Sequence, residues 1–138
     1  MPVVPARSPL AGLRVLVVED EAVLRAGLES FAVLRGFTVV PATNGEAALA
    51  VLEHTSVDAI VCDLRMPGMD GAALHEILRR DRPGLAARTV FVTGDVTGRV
   101  ARGGAIARQP VLMKPFSLDR LEEVLVAVLR GQPVTLSA

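Results

Sequence analysis

Asp63 closes the apolar run Ala59-Ile-Val-Cys62, and the turn-forming Met66-Pro67-Gly68 follows shortly after it. A carboxylate in such a place can act as a nucleophile toward phosphorus and carry an acyl phosphate, if nearby groups neutralise the oxygens it gains. The groups that would do so stand at the ends of other apolar runs. Glu19-Asp20-Glu21 follows Val15-Leu-Val-Val18, Thr93-Gly94-Asp95 follows Thr89-Val-Phe-Val92, and Lys114-Pro115-Phe116 follows Pro110-Val-Leu-Met113. Clustered carboxylates repel one another unless they share a cation, and hard oxygen donors suit Mg2+. Glu19, Asp20 and Asp63 are the candidate metal acids, with Lys114 as an opposing ammonium and Thr93 as a hydroxyl donor to a phosphoryl oxygen. Composition singles out Lys114 as well. It is the only lysine among the 15 basic residues, the others all being arginine. A site that needs a compact point charge rather than a planar fork would keep such a lysine, although a stray surface lysine is the plain alternative.

These residues can meet only if the runs that carry them lie side by side and parallel. Five short β-branched runs, the four above and Phe37-Thr-Val-Val40, alternate with helical patterns, as in an α/β domain with a parallel sheet covered on both faces. Ligands bind such sheets beyond the carboxyl ends of the strands. The second run ends in Pro41-Ala42, as an outer strand away from the site could. Glu21 to Leu34 places Leu24, Leu28, Phe31 and Ala32 on one helical face, Gly71 to Arg80 gathers Leu74, Ile77 and Leu78, and Ser117 to Arg130 stacks Leu118, Leu121, Val124, Leu125, Val128 and Leu129 before Gly131. Thr43-Asn-Gly-Glu46 reads as a capping box that opens a helix over Ala47 to His54. Gly98, Gly103 and Gly104 predict a short or frayed helix between Val96 and Gln109, since each interior Gly costs about 1 kcal/mol relative to Ala.

The 138 residues make one domain, expected over residues 12–131 between a flexible lead of residues 1–11 and a tail of residues 132–138. Acidic and basic residues number 15 each, so no basic field holds a nucleic acid. The lone Cys62 excludes an internal disulfide and fits a reducing compartment. No apolar run approaches the roughly 20 residues that span a bilayer. The expected setting is cytoplasmic, with neither nucleic acid nor membrane as a direct partner.

Four segments together resemble the response-regulator receiver domains of two-component signalling: Val15-Leu-Val-Val-Glu-Asp-Glu21, Asp63-Leu-Arg-Met-Pro-Gly-Met-Asp-Gly71, Val92-Thr-Gly94 and Met113-Lys-Pro-Phe116. The resemblance covers Leu13 to Arg130. It implies a flavodoxin-like five-stranded parallel sheet of order 2-1-3-4-5 with helices on both faces. It also implies Asp63 as phosphoacceptor, Glu19 and Asp20 as metal-site acids for Mg2+, Thr93 as switch hydroxyl and Lys114 as phosphate-binding ammonium. The main-chain carbonyl of Arg65 joins the implied metal ligands. The implied donor is a phosphohistidine on a sensor histidine kinase or a histidine phosphotransfer protein, and the output is contact with a downstream protein effector; a homodimer stays open. Such a domain is no enzyme in its own right, beyond assisting its own phosphoryl transfer and dephosphorylation. The chain departs from the pattern at Val111, three residues before the lysine, where receivers often carry Tyr or Phe.

Other readings meet specific obstacles. A flavin or nucleotide carrier would need a phosphate loop where Glu19-Asp20-Glu21 repels phosphate. An aspartate-nucleophile phosphatase would place a second Asp where Arg65 stands. A receiver-shaped module that works without phosphorylation is the alternative that Val111 keeps open. Cys62 is expected as a small core residue, and His75 and His54 as solvated helix surface. Arg65 and Asp95 are expected on loops bordering the rim, where they could pair across its mouth. Arg99, Arg102 and Arg108 are expected as solvated charges or a docking patch.

Overall fold

The computed structural model describes residues 8–94 and 108–132. Five parallel strands form one sheet in the order β2-β1-β3-β4-β5. They are β1 (Arg14–Val18), β2 (Thr38–Ala42), β3 (Ala59–Asp63), β4 (Thr89–Thr93) and β5 (Val111–Met113). The helices are α1 (Ala22–Arg35), α2 (Gly45–His54), α3 (Gly71–Asp81), α4 (Pro83–Ala87) and α5 (Leu118–Leu129). The expected sheet order and two-sided cover are both present. β3 and β4 are buried along their whole length, which is why their sequences run apolar without alternation. β2 is an edge strand and tolerates Pro41, whose missing N–H costs an edge strand no ladder bond.

Successive strand residues point to opposite faces, and this divides the core into two clusters. On one face Val15, Val17, Val61, Val90 and Val92 pack with Leu28 and Phe31 of α1 and Leu121, Val124 and Leu125 of α5. On the other, Leu16, Val18, Ile60, Cys62 and Phe91 pack with Ala48 and Leu52 of α2 and Leu74 and Leu78 of α3. Cys62 is a buried core thiol, as expected. Gly131 ends α5 at φ +66°, the left-handed conformation that glycine adopts without strain.

Several local expectations need correction. Asn44, not Thr43, caps α2: its side chain accepts from the N–H of Ala47 at 2.8 Å, and the helix starts at Gly45. His75 is not solvated surface but only 3% exposed. Its Nε2 lies 3.0 Å from the carbonyl of Ala86, and its ring meets Phe91 edge-on at 5.3 Å. The cause is α4, a short helix that opens on Pro83 and buries Leu85 and Ala86 beside α3. The lead is not loose up to residue 11. Leu10 is fully buried in the α1–α5 cluster, and Ser8 Oγ donates to Glu122 Oε2 on α5. The helix expected between Val96 and Gln109 lies outside the described residues, apart from Arg108 and Gln109 at its end.

Candidate functional site

Glu19, Asp63, Thr93 and Lys114 reach one rim because each stands at or just past the carboxyl end of a strand, and all the strands are parallel. Asp63 pairs in register with Val92, and Thr93 with Met113, so the acid, the hydroxyl and the lysine occupy three adjacent strands. The N–H of Lys114 donates to the carbonyl of Thr93 at 2.8 Å, and the N–H of Glu19 donates to the carbonyl of Ala42 at 2.9 Å; both extend the ladders one step past the strands. The peptide bond from Lys114 to Pro115 is cis.

Asp63 is buried, and both its oxygens are engaged. Oδ1 accepts from the backbone N–H of Arg65 at 2.9 Å, and Oδ2 accepts from Lys114 Nζ at 3.0 Å. Lys114 also pairs with Glu19 Oε1 at 2.8 Å and stands 3.7 Å from Glu21. Glu19 Oε2 accepts from the N–H of Glu21 at 3.1 Å. Thr93 is 2% exposed on β4, Asp20 is exposed, and Arg65 is exposed at the loop that follows β3. Asp95, expected opposite Arg65, lies outside the described residues. Gly71 closes the site from behind, since a Cβ there would stand 2.7 Å from the carbonyl oxygen of Asp63 and 2.9 Å from the Cα of Leu64.

Carboxylate oxygens of Glu19, Asp20 and Asp63 lie within 4.8 Å of one another. Two like charges at that spacing repel by about 3–4 kcal/mol at an effective dielectric constant near 20, so one ammonium cannot neutralise all three acids. Burial pushes the Glu19 carboxyl up to about 7; Lys114 and the N–H of Glu21 oppose that rise, and the charge on Asp63 adds to it. Burial alone would lower Lys114, but its bonds to Glu19 and Asp63 and their charges outweigh this and hold the ammonium well above the ordinary lysine range. Glu19 Oε1 is buried without a directed hydrogen bond. An under-satisfied buried oxygen beside two further acids fits a hard divalent cation.

Sequence reasoning missed Arg25. It lies in the first turn of α1, and its Nη1 donates to the carbonyl of Glu19 at 2.6 Å. A cation in a first turn opposes the helix dipole, and that was the available hint of a local partner. Beside Lys114 a groove of about 600 Å³ runs between α1 and the start of α5, lined by Val23, Leu24, Leu28, Pro115 and Phe116. No described helix is long and apolar enough to cross a membrane.

The model of the response regulator receiver domain matches residues 15–126. The transcriptional regulatory protein TcrA of Mycobacterium tuberculosis is 37% identical over 127 residues, which are 91% of this chain and 49% of TcrA. The sensor kinase CckA of Brucella abortus is 38% identical over 121 residues, 86% of this chain and 13% of that protein. The chain thus spans about half the length of TcrA and a small part of CckA. Among solved structures, the response regulator TrrA of Thermotoga maritima, in complex with Mg2+ and BeF, superposes with a TM-score of 0.72 at 25% identity, covering 84% of this chain and 98% of TrrA. Matched over most of its length in both sequence and fold, the chain belongs to the response regulator receiver domain family.

Proposed function

We propose that this receiver domain is a phosphoacceptor switch in which Asp63 takes a phosphoryl group from a phosphohistidine on a sensor histidine kinase or a histidine phosphotransfer protein. One observation carries the reading: Asp63 is held between the N–H of Arg65 and the ammonium of Lys114, with two further acids within reach. A carboxylate oxygen of Asp63 attacks phosphorus, the imidazole of the donor leaves, and an acyl phosphate results. Lys114 gives up its bond to Asp63 for one to a phosphoryl oxygen, and the Thr93 hydroxyl donates to another. Glu19, Asp20, Asp63 and the carbonyl of Arg65 would hold Mg2+, which supplies positive charge to the phosphoryl oxygens. The apolar groove between α1 and α5 borders Lys114 and gives a donor protein a surface to rest on while its histidine faces the rim.

The likeness to TrrA supports the reading, because that relative was solved with Mg2+ and BeF. Signalling then passes through protein contacts, and the cytoplasm supplies both donor and effector. Beryllium fluoride added with Mg2+ tests the site without a kinase. The amide resonances of Asp63, Thr93 and Lys114 are expected to shift together in the wild type and to stay fixed in Asp63→Asn. Equal shifts in both proteins would contradict the assignment of Asp63.

A further inference from the structure

The carbonyl of Glu19 is held by a side chain that takes no part in the phosphoryl chemistry above. Glu19 has four polar groups, three of them in hydrogen bonds and the fourth, Oε1, in an ion pair without a directed hydrogen bond. Its N–H donates to Ala42, its Oε2 accepts from the N–H of Glu21, and its Oε1 faces Lys114 at 2.8 Å. Its carbonyl accepts from Arg25 Nη1 at 2.6 Å, which fixes the plane of the peptide joining Glu19 to Asp20. That plane sets the direction in which Asp20 leaves the strand. Glu21, the N-cap residue of α1, makes no side-chain capping bond, so Arg25 adds to the hold that the Glu21 N–H on Glu19 Oε2 and the Lys114 ammonium, 3.7 Å from Glu21, exert on the loop. Arg25 is half-buried, and its charge sits against the dipole of its own helix, so it is the bond to Glu19 that favours its placement.

We propose that Arg25 is a positioning residue for the cation site: by locking the Glu19–Asp20 peptide it keeps the Asp20 carboxylate directed at the point it shares with Glu19 and Asp63. The proposal rests on the reading of Glu19, Asp20 and Asp63 as a divalent-cation site. Groups that bond and orient metal ligands change cation affinity about 10–100-fold when removed. Arg25 acts on a ligand through its main chain rather than its side chain. The carboxylate of Glu19 keeps its partners when Arg25 is lost, and the misdirected group is Asp20.

The test is a Mg2+ titration of 15N-labelled wild type, Arg25→Ala and Arg25→Lys, with urea unfolding of each in chelator. In cation-free Arg25→Ala the amides of Asp20 and Glu21 are expected to shift and broaden while those of Asp63 and Thr93 hold still. Its Mg2+ Kd is expected to rise about tenfold, and Arg25→Lys, which still offers a donor to the carbonyl, to recover most of that loss. Wild-type Mg2+ affinity in Arg25→Ala, with the wild type itself binding, would overturn the proposal alone. A lower urea midpoint with an unchanged Kd for the folded protein would reduce Arg25 to a structural role and overturn it too. No Mg2+ binding by the wild type would overturn the cation reading and the proposal with it.

Discussion

Lys114 and Glu19 face each other across the rim at 2.8 Å, the carboxylate side chain 2% exposed and the ammonium 18%. The pair joins β5 to β1 over the ends of β3 and β4, so it ties together the strands whose loops form the site. Its energetic sense is asymmetric. Glu19 is buried with Lys114 as its cation, and removing the lysine leaves its carboxyl buried beside Asp63 with no opposing charge.

Lys114→Met is therefore expected to destabilise the protein by about 1–3 kcal/mol in the absence of divalent cations, the usual cost of stranding a buried polar group. Mg2+ is expected to recover part of the loss, because it takes over the neutralising role. Urea unfolding with and without chelator checks both. Lys114→Arg is expected to keep most of the stability and to slow phosphorylation, since a planar fork replaces a compact ammonium.

Gly71→Ala inserts a methyl group 2.7 Å from the carbonyl oxygen of Asp63. The obstacle is backbone rather than a flexible side chain, so α3 or the end of β3 must move. The expected cost is about 1–3 kcal/mol, together with slower phosphorylation because the phosphoacceptor shifts. Denaturant midpoints and phosphorylation time courses on the one variant report the two effects separately.

His75 gives stability a dependence on pH. Burial lowers its pKa from the ordinary 6.5; the bond to the Ala86 carbonyl and the charge of Glu76 work against that shift, and Arg79 adds to it. A lowered folded-state pKa means that the unfolded chain binds the proton first, so stability is full above about pH 6.5 and is lost as pH falls below it. Urea unfolding at pH 7.5 and 5.5 is expected to show this loss in the wild type and a smaller one in His75→Gln, whose amide can still donate toward Ala86.

Asn44→Ala is expected to cost about 1 kcal/mol, because the bond from Asn44 to the N–H of Ala47 satisfies a helix-start donor. Thr43→Ala is expected to be nearly neutral. The reverse order of effects would favour the capping box that the sequence suggested.

That pair shows where sequence reasoning loses resolution. Thr43 and Asn44 are both good caps one residue apart, and the choice depends on how Ala48 and Leu52 must meet β1 and β3. The larger architecture was legible because strands buried on both faces must be apolar throughout, and because each ends in a polar residue that would be out of place deeper in the sheet. The rim was legible for the same reason: Asp63, Thr93 and Lys114 each follow an apolar run directly. His75 was not, since its burial depends on α4, whose few residues carry no periodic pattern. Nor was Ser8, whose partner Glu122 lies at the other end of the chain. Arg25 bonds to a main-chain carbonyl, and a carbonyl has no signature in a sequence.

The central claim is that Asp63 accepts a phosphoryl group with the help of a divalent cation. Intact-mass measurement after incubation with acetyl phosphate and Mg2+ tests it most directly, run on wild type, on wild type with chelator and on Asp63→Asn. The account predicts one added phosphoryl group on the wild type, and little or none with chelator or on the variant. Full phosphorylation of Asp63→Asn, or phosphorylation indifferent to chelator, would contradict it.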